Sequence, residues 1–207
     1  MEDDLLPVRS GPADSGLRLR LFMDVSGSMT PAGGIPAAIE FYRRLRDSLL
    51  SQGSASEEVV IRIVTYHSEA QWTSPREMPV EDIPALNLTA GEFSDFGAAL
   101  RLAIRETSER SASDGRAEHW IWIGDGHVTD NWRVEAERLR ATDEFRMLRR
   151  WSVATGEDPD LEALTWFAHD ATSMVWATAP EQLFDGLLVS NDESGADAED
   201  AWLSDGF

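Results

Sequence analysis

Leu17-Arg18-Leu19-Arg20-Leu21-Phe22-Met23-Asp24, followed at once by Val25-Ser26-Gly27-Ser28, decides how the rest of the chain is read. The stretch alternates and then turns wholly apolar, the pattern of a strand running into the middle of a sheet. It ends on a carboxylate, and hydroxyls follow two and four residues later. Gly27 lets so short a turn close, so three oxygen-bearing side chains gather within one tight turn.

Outward from this strand, apolar residues at helical spacing (Ile35, Ala38, Phe41, Tyr42, Leu45, Leu49) predict a helix over 35–50. The run at 59–66 is a second apolar strand, and 70–72 reads as a short edge strand. A loop over 74–96 leads to a helix from Gly97 to about 110. The apolar run 119–124 is a strand that ends at Asp125. Helix, strand, helix, strand and helix follow at 132–139, 149–154, 161–167, 173–176 and 180–188, the last with Pro180 in its first turn. Strands alternating with helices imply a three-layer, doubly wound α/β fold. The expected sheet is mostly parallel, with one short antiparallel edge strand and helices on both faces. Residues 1–15 read as a loose arm, 16–190 as one domain, and 191–207, with six acids and no base, as a flexible acidic tail.

The 207 residues carry a formal net charge of -20, and all 18 basic residues are arginine. That balance argues against nucleic acid and anionic membrane as partners, because both need phosphate charge neutralised. Lysine is absent, which removes Schiff-base chemistry and a phosphate-loop lysine. Cysteine is absent too, which removes disulfides, thiolate metal sites and a cysteine nucleophile. No apolar run is long enough for a membrane span, and the acidic start does not resemble a secretory signal. The expectation is a cytoplasmic protein.

In an open parallel sheet, ligands bind beyond the carboxyl ends of the strands. Three oxygen-rich groups are expected at that edge: Asp24, Ser26 and Ser28; then Ser94 and Asp95 ahead of the helix at Gly97; then Asp125. Two carboxylates and several hydroxyls from separate loops suit a hard cation, which takes oxygen ligands and keeps several waters. Magnesium or manganese is the expected ion ahead of calcium. A site with few protein carboxylates stays electrophilic and favours an added acidic ligand from outside.

Asp24-Val25-Ser26-Gly27-Ser28 resembles the D-x-S-x-S signature of von Willebrand factor A domains. The resemblance implies a metal-ion-dependent adhesion site. Ser94-Asp95-Phe96-Gly97-Ala98-Ala99-Leu100 is similar to the family's T-x-x-G-x-A-L, with serine in place of threonine. That change keeps the hydroxyl and loses the stiff rotamer of a β-branched residue. Asp125 matches the family's third ligand, so the implied metal set is Asp24, Ser26, Ser28, Ser94 and Asp125. Asp125-Gly126-His127-Val128-Thr129-Asp130-Asn131-Trp132 resembles the D-G-x-x-T-D-x-W of bacterial tellurite-resistance-type members, and 156–164 resembles their later segment. Those members imply a non-enzymatic adaptor in a stress-response or defence system, beside ATPases, kinases and phosphatases. The expected partner is a protein that supplies an acidic side chain to the metal. Asp95, Gly126, His127 and Trp202 are the candidate partner-facing residues.

Plainer roles stand beside these. Ser28 or Thr30 could cap a helix, Ser94 could cap the helix at Gly97, and Asp130 is expected to cap the helix at Trp132. His127 reads first as a surface-loop histidine. Trp202 could dock to a partner, fold back on the domain, or do neither. Two other functions remain: a metal-free scaffold, and a phosphatase of the haloacid dehalogenase type. The latter needs D-x-D, whose second acid is a general acid; Ser26 stands in that place here.

Overall fold

The computed structural model describes residues 16–30, 33–51, 59–109, 116–142, 145 and 148–192. The expected arm at 1–15 and Trp202 lie outside the described residues. So does the expected tail, apart from Asn191 and Asp192.

Seven strands form one sheet: β1 (Leu17–Asp24), β2 (Val59–Tyr66), β3 (Ala70–Trp72), β4 (Met78–Pro79), β5 (Ala117–Gly124), β6 (Arg149–Ala154) and β7 (Met174–Trp176). Their order is β3-β2-β1-β5-β6-β7, with β4 also paired to β2. β2, β1, β5, β6 and β7 run parallel, and β3 and β4 are antiparallel. β4 lies inside the segment expected to be a loop. Its two residues, one of them a proline, are too short a run to carry a periodic signal. The order reverses between β1 and β5, which makes their carboxyl tips the switch point of the sheet.

Five described helices cover the sheet: α1 (Gly34–Leu50), α2 (Phe96–Glu109), α3 (Trp132–Arg140), α4 (Leu161–Phe167) and α5 (Glu181–Asp192). Leu17, Leu19, Leu21 and Met23 of β1 pack toward Phe41 and Leu45 of α1 and Leu183 and Leu187 of α5. Phe22 of β1, with Tyr66, Trp120 and Trp122, packs toward Phe96 and Leu100 of α2, Trp132 of α3 and Phe167 of α4. The two-residue period of a strand thus feeds two separate cores. Phe96 stacks on Trp122 with ring centroids 4.0 Å apart and planes 10° from parallel. This stack packs the first residue of α2 on β5.

Alternation in β1 does not lead to solvent. Arg18 and Arg20 are buried. Arg18 pairs with Glu77 at 2.7 Å, and Arg20 meets Glu118 at 3.2 Å and Glu106 at 3.5 Å. Arg62 of β2 also pairs with Glu106 and stacks on Trp72. Buried guanidinium groups persist only with such partners.

Candidate metal centre

Three chain segments meet at the tips of β1 and β5. The first is the turn after β1, whose backbone is tied down on two sides. Val25 N–H donates to Tyr66 O at 3.0 Å, Gly91 N–H donates to Val25 O at 2.6 Å, and Gly27 N–H donates to Glu92 O at 3.0 Å. A Cβ on Gly27 would stand 3.0 Å from Glu92 O. Glycine therefore serves close approach of the two loops here.

Asp24 is fully buried. Its Oδ1 accepts from Ser26 N–H at 2.8 Å. Its Oδ2 accepts from the Tyr66 hydroxyl at 3.0 Å and from Ser94 Oγ at 3.1 Å. Ser26 Oγ and Ser28 Oγ lie 3.0 Å apart. Of the five expected ligands only Ser28 is not buried, so it carries the group to the surface.

Ser94 reaches Asp24 because Thr129 holds its backbone. Thr129 Oγ1 accepts from Ser94 N–H at 3.1 Å and donates to Ser94 O at 3.1 Å, and Thr129 N–H donates to the same carbonyl at 2.9 Å. The expectation had not assigned Thr129 or Tyr66 a place in the site. Thr129 is the threonine within Asp125-Gly126-His127-Val128-Thr129-Asp130, so its signal was present. Tyr66 reads in sequence only as the last residue of a strand; parallel register sets it opposite Asp24.

Asp125 is buried, and its Oδ1 accepts from His127 N–H at 3.0 Å. Asp160 N–H donates to Asp125 O at 2.6 Å. Gly126 has φ +77°, and a Cβ there would lie 2.4 Å from Asp160 O, so only glycine fits. Gly126 is buried; His127 is exposed and its Nε2 lies 2.7 Å from Asp158 O.

One expected role changes, and one alternative is set aside. Asp130 does not cap α3: its carboxylate accepts from Phe96 N–H at 3.1 Å and Gly97 N–H at 3.0 Å, at the start of α2. Asn131 precedes α3 without a side-chain cap. Asp95, not Ser94, completes the α2 cap, accepting from Ala98 N–H at 2.7 Å and meeting Arg101 at 3.5 Å. A cap can be supplied from a distant loop when that loop packs on the helix start, and local spacing does not reveal it.

Burial pushes the Asp24 carboxyl up to about 6, with the charge of Asp125 adding to the rise against the hydrogen bonds from Ser26 and Tyr66. Two acids thus share one buried edge. Gly124 lies beside them, and a Cβ there would sit 2.8 Å from Asp24 Cβ. The missing methyl leaves the cradle in which the Asp24 side chain rests. Among the described residues no group of three or more His, Cys, Asp or Glu side chains is placed to hold a metal ion. The side chains gathered here instead offer two carboxylates and three hydroxyls, an all-oxygen set. Mutual repulsion of the two acids is relieved by a cation, and the residues fit a hard divalent ion.

This sheet order, with a short antiparallel edge and helices on both faces, is that of a von Willebrand factor A-like Rossmann α/β fold. No protein-family model and no curated protein matches the sequence. Solved structures do. The chain is similar to the vWF domain of the type V pili tip protein Mfa5 from Porphyromonas gingivalis (TM-score 0.62, 11% identity, 89% of this chain and 99% of that one). It is similar to the manganese-loaded TRAP protein of Plasmodium vivax (0.61, 16%, 86% and 74%). It is also similar to proximal thread matrix protein 1 from the mussel byssus (0.61, 14%, 86%), of which it spans only 48%. At these identities the likeness is one of fold. No described helix is long and apolar enough to cross a membrane.

Proposed function

We propose that this chain is a non-enzymatic, metal-ion-dependent protein-interaction module. Asp24, Ser26, Ser28, Ser94 and Asp125 would hold one magnesium or manganese ion, with calcium a poorer match. The bound ion would offer a coordination position to a carboxylate from a partner protein.

The bond from Ser94 Oγ to Asp24 Oδ2 at 3.1 Å carries this reading. A serine that gives its hydrogen to a carboxylate keeps its lone pairs for a cation. The same bond joins two chain segments that local sequence alone leaves unconnected. The ion in the manganese-loaded relative supports the reading by analogy of fold.

The finer role follows the tellurite-resistance-type resemblance: a cytoplasmic adaptor in a bacterial stress-response or defence system, beside ATPase, kinase or phosphatase components. His127, exposed beside Asp125, and Trp202 remain partner-facing candidates. Asp95 and Gly126 belong to the same proposal through the loops they shape.

Calorimetric titration of magnesium and manganese tests the centre. One saturable site, lost in Asp24→Ala and in Asp125→Ala, is the expected result. A metal-free scaffold is the second reading, favoured because Asp24 already has three hydrogen-bond donors without an ion. Absence of specific binding by the wild-type chain would select it, whereas binding retained in both variants would place the ion elsewhere. Phosphatase activity is not expected, since Ser26 cannot act as the general acid.

A further inference from the structure

Four large apolar side chains reach solvent among the described residues. Phe93, Val134, Leu161 and Trp176 are each at least 40% exposed. Each belongs to a segment at the carboxyl edge of the sheet: Phe93 just before α2, Val134 in the first turn of α3, Leu161 opening α4, and Trp176 ending β7.

Two of them are tied to the candidate centre through their neighbours. Phe93 lies between Glu92, whose carbonyl accepts from Gly27 N–H at 3.0 Å, and Ser94, whose hydroxyl donates to Asp24. Its two chain neighbours are thus tied to the turn after β1 and to Asp24, yet Phe93 itself is 60% exposed. Leu161 directly follows Asp160, whose N–H donates to Asp125 O at 2.6 Å. Each apolar group is thus next in sequence to a residue bonded into the centre, Phe93 in the loop ahead of α2 and Leu161 at the start of α4. Holding an aromatic in water on a fixed backbone lowers the ordering cost of burying it later, as at interface anchors.

Charge narrows the partner. Exposed acids Glu92, Glu157 and Asp158 stand in the same loops. Arg101 and Arg133 nearby are engaged, Arg101 with Asp95 and Glu135, Arg133 with Glu162. A carboxylate arriving from outside meets a negative rim, so basic residues beside it would relieve the approach.

We infer that Phe93 and Leu161 are apolar posts flanking the centre, and that they select a protein segment whose acidic residue has bulky apolar neighbours and basic residues further out. The inference rests on the metal-dependent reading above and adds the partner's chemistry to it.

Three fluorescein-labelled peptides with lysines at both ends test it on the full chain in saturating manganese. Their cores are Leu-Asp-Leu, Ser-Asp-Ser and Leu-Asn-Leu. Leu-Asp-Leu is expected to bind at least tenfold tighter than Ser-Asp-Ser by anisotropy. Phe93→Ser and Leu161→Ser should each shrink that preference severalfold while manganese affinity and thermal midpoint stay unchanged. Equal binding of Leu-Asp-Leu and Ser-Asp-Ser overturns the apolar posts and leaves the metal reading standing. Binding of Leu-Asn-Leu as tight as Leu-Asp-Leu, or absence of binding by every peptide despite bound manganese, overturns both.

Discussion

The Tyr66 hydroxyl donates to Asp24 Oδ2 at 3.0 Å while accepting from Trp122 Nε1 at 2.6 Å. The buried carboxylate is thereby tied to the aromatic core, because Trp122 stacks on Phe96. Tyr66→Phe removes one hydrogen bond from a buried acid and leaves the Trp122 N–H without its acceptor. A loss of about 2 kcal/mol in urea unfolding is expected, with weaker manganese binding. Wild-type stability in the variant would show that this relay does not hold the site.

Gly124→Ala places a methyl in the space of the Asp24 side chain, 2.8 Å from its Cβ. Overpacking of this kind costs about 1–3 kcal/mol. Asp24 must shift to admit the methyl, so metal affinity should fall at least tenfold in calorimetry, more than the stability loss alone would imply. Unchanged affinity would mean that the cradle does not position Asp24.

Asp130→Ala withdraws the acceptor from the first two N–H groups of α2. Cap losses run at about 1–2 kcal/mol. Hydrogen exchange should rise at Phe96 and Gly97 and not at the start of α3. The reverse pattern would restore the role expected from sequence.

His119 provides a pH test away from the metal centre. It is buried, and burial, with Arg149 adding, lowers it from the usual 6.5 to about 4. Its folded pKa lies below the unfolded one, so between those values the unfolded chain binds the extra proton. Its contribution is present above pH 6.5 and lost as pH falls toward 4, up to about 3 kcal/mol. Asp24 and Asp130 are shifted up to about 6, which favours folding as pH falls over part of the same window. The difference between wild type and His119→Asn isolates the histidine. Stability curves that stay parallel from pH 7 to 4 would contradict this account.

Much of this was legible along the chain. β2, β3, β6 and α4 match their expected bounds, since apolar runs flanked by turn residues carry their own period. The segments holding Asp24, Ser94 and Asp125 were legible because each follows or precedes such an element at the edge where ligands bind. Tyr66 was not legible, because a hydroxyl's partner across more than forty residues leaves no local pattern; Thr129 stands in a legible segment, but its bond to Ser94 does not show there.

The order of strands and helices apart from the two-residue β4, the edge that carries the oxygen-rich turns, and the strongly acidic charge were determined by the sequence itself, through periodicity, turn chemistry and composition. Tertiary structure decided which of two chemically similar groups does which task. Asp130 caps α2 and Asp95 completes that cap, while Asn131 precedes α3. Arg18 and Arg20 alternate with leucines as if facing water, yet they are buried against Glu77, Glu106 and Glu118. Periodicity reports which face a side chain takes, but only the packed chain decides whether that face meets solvent, a helix, or an opposite charge.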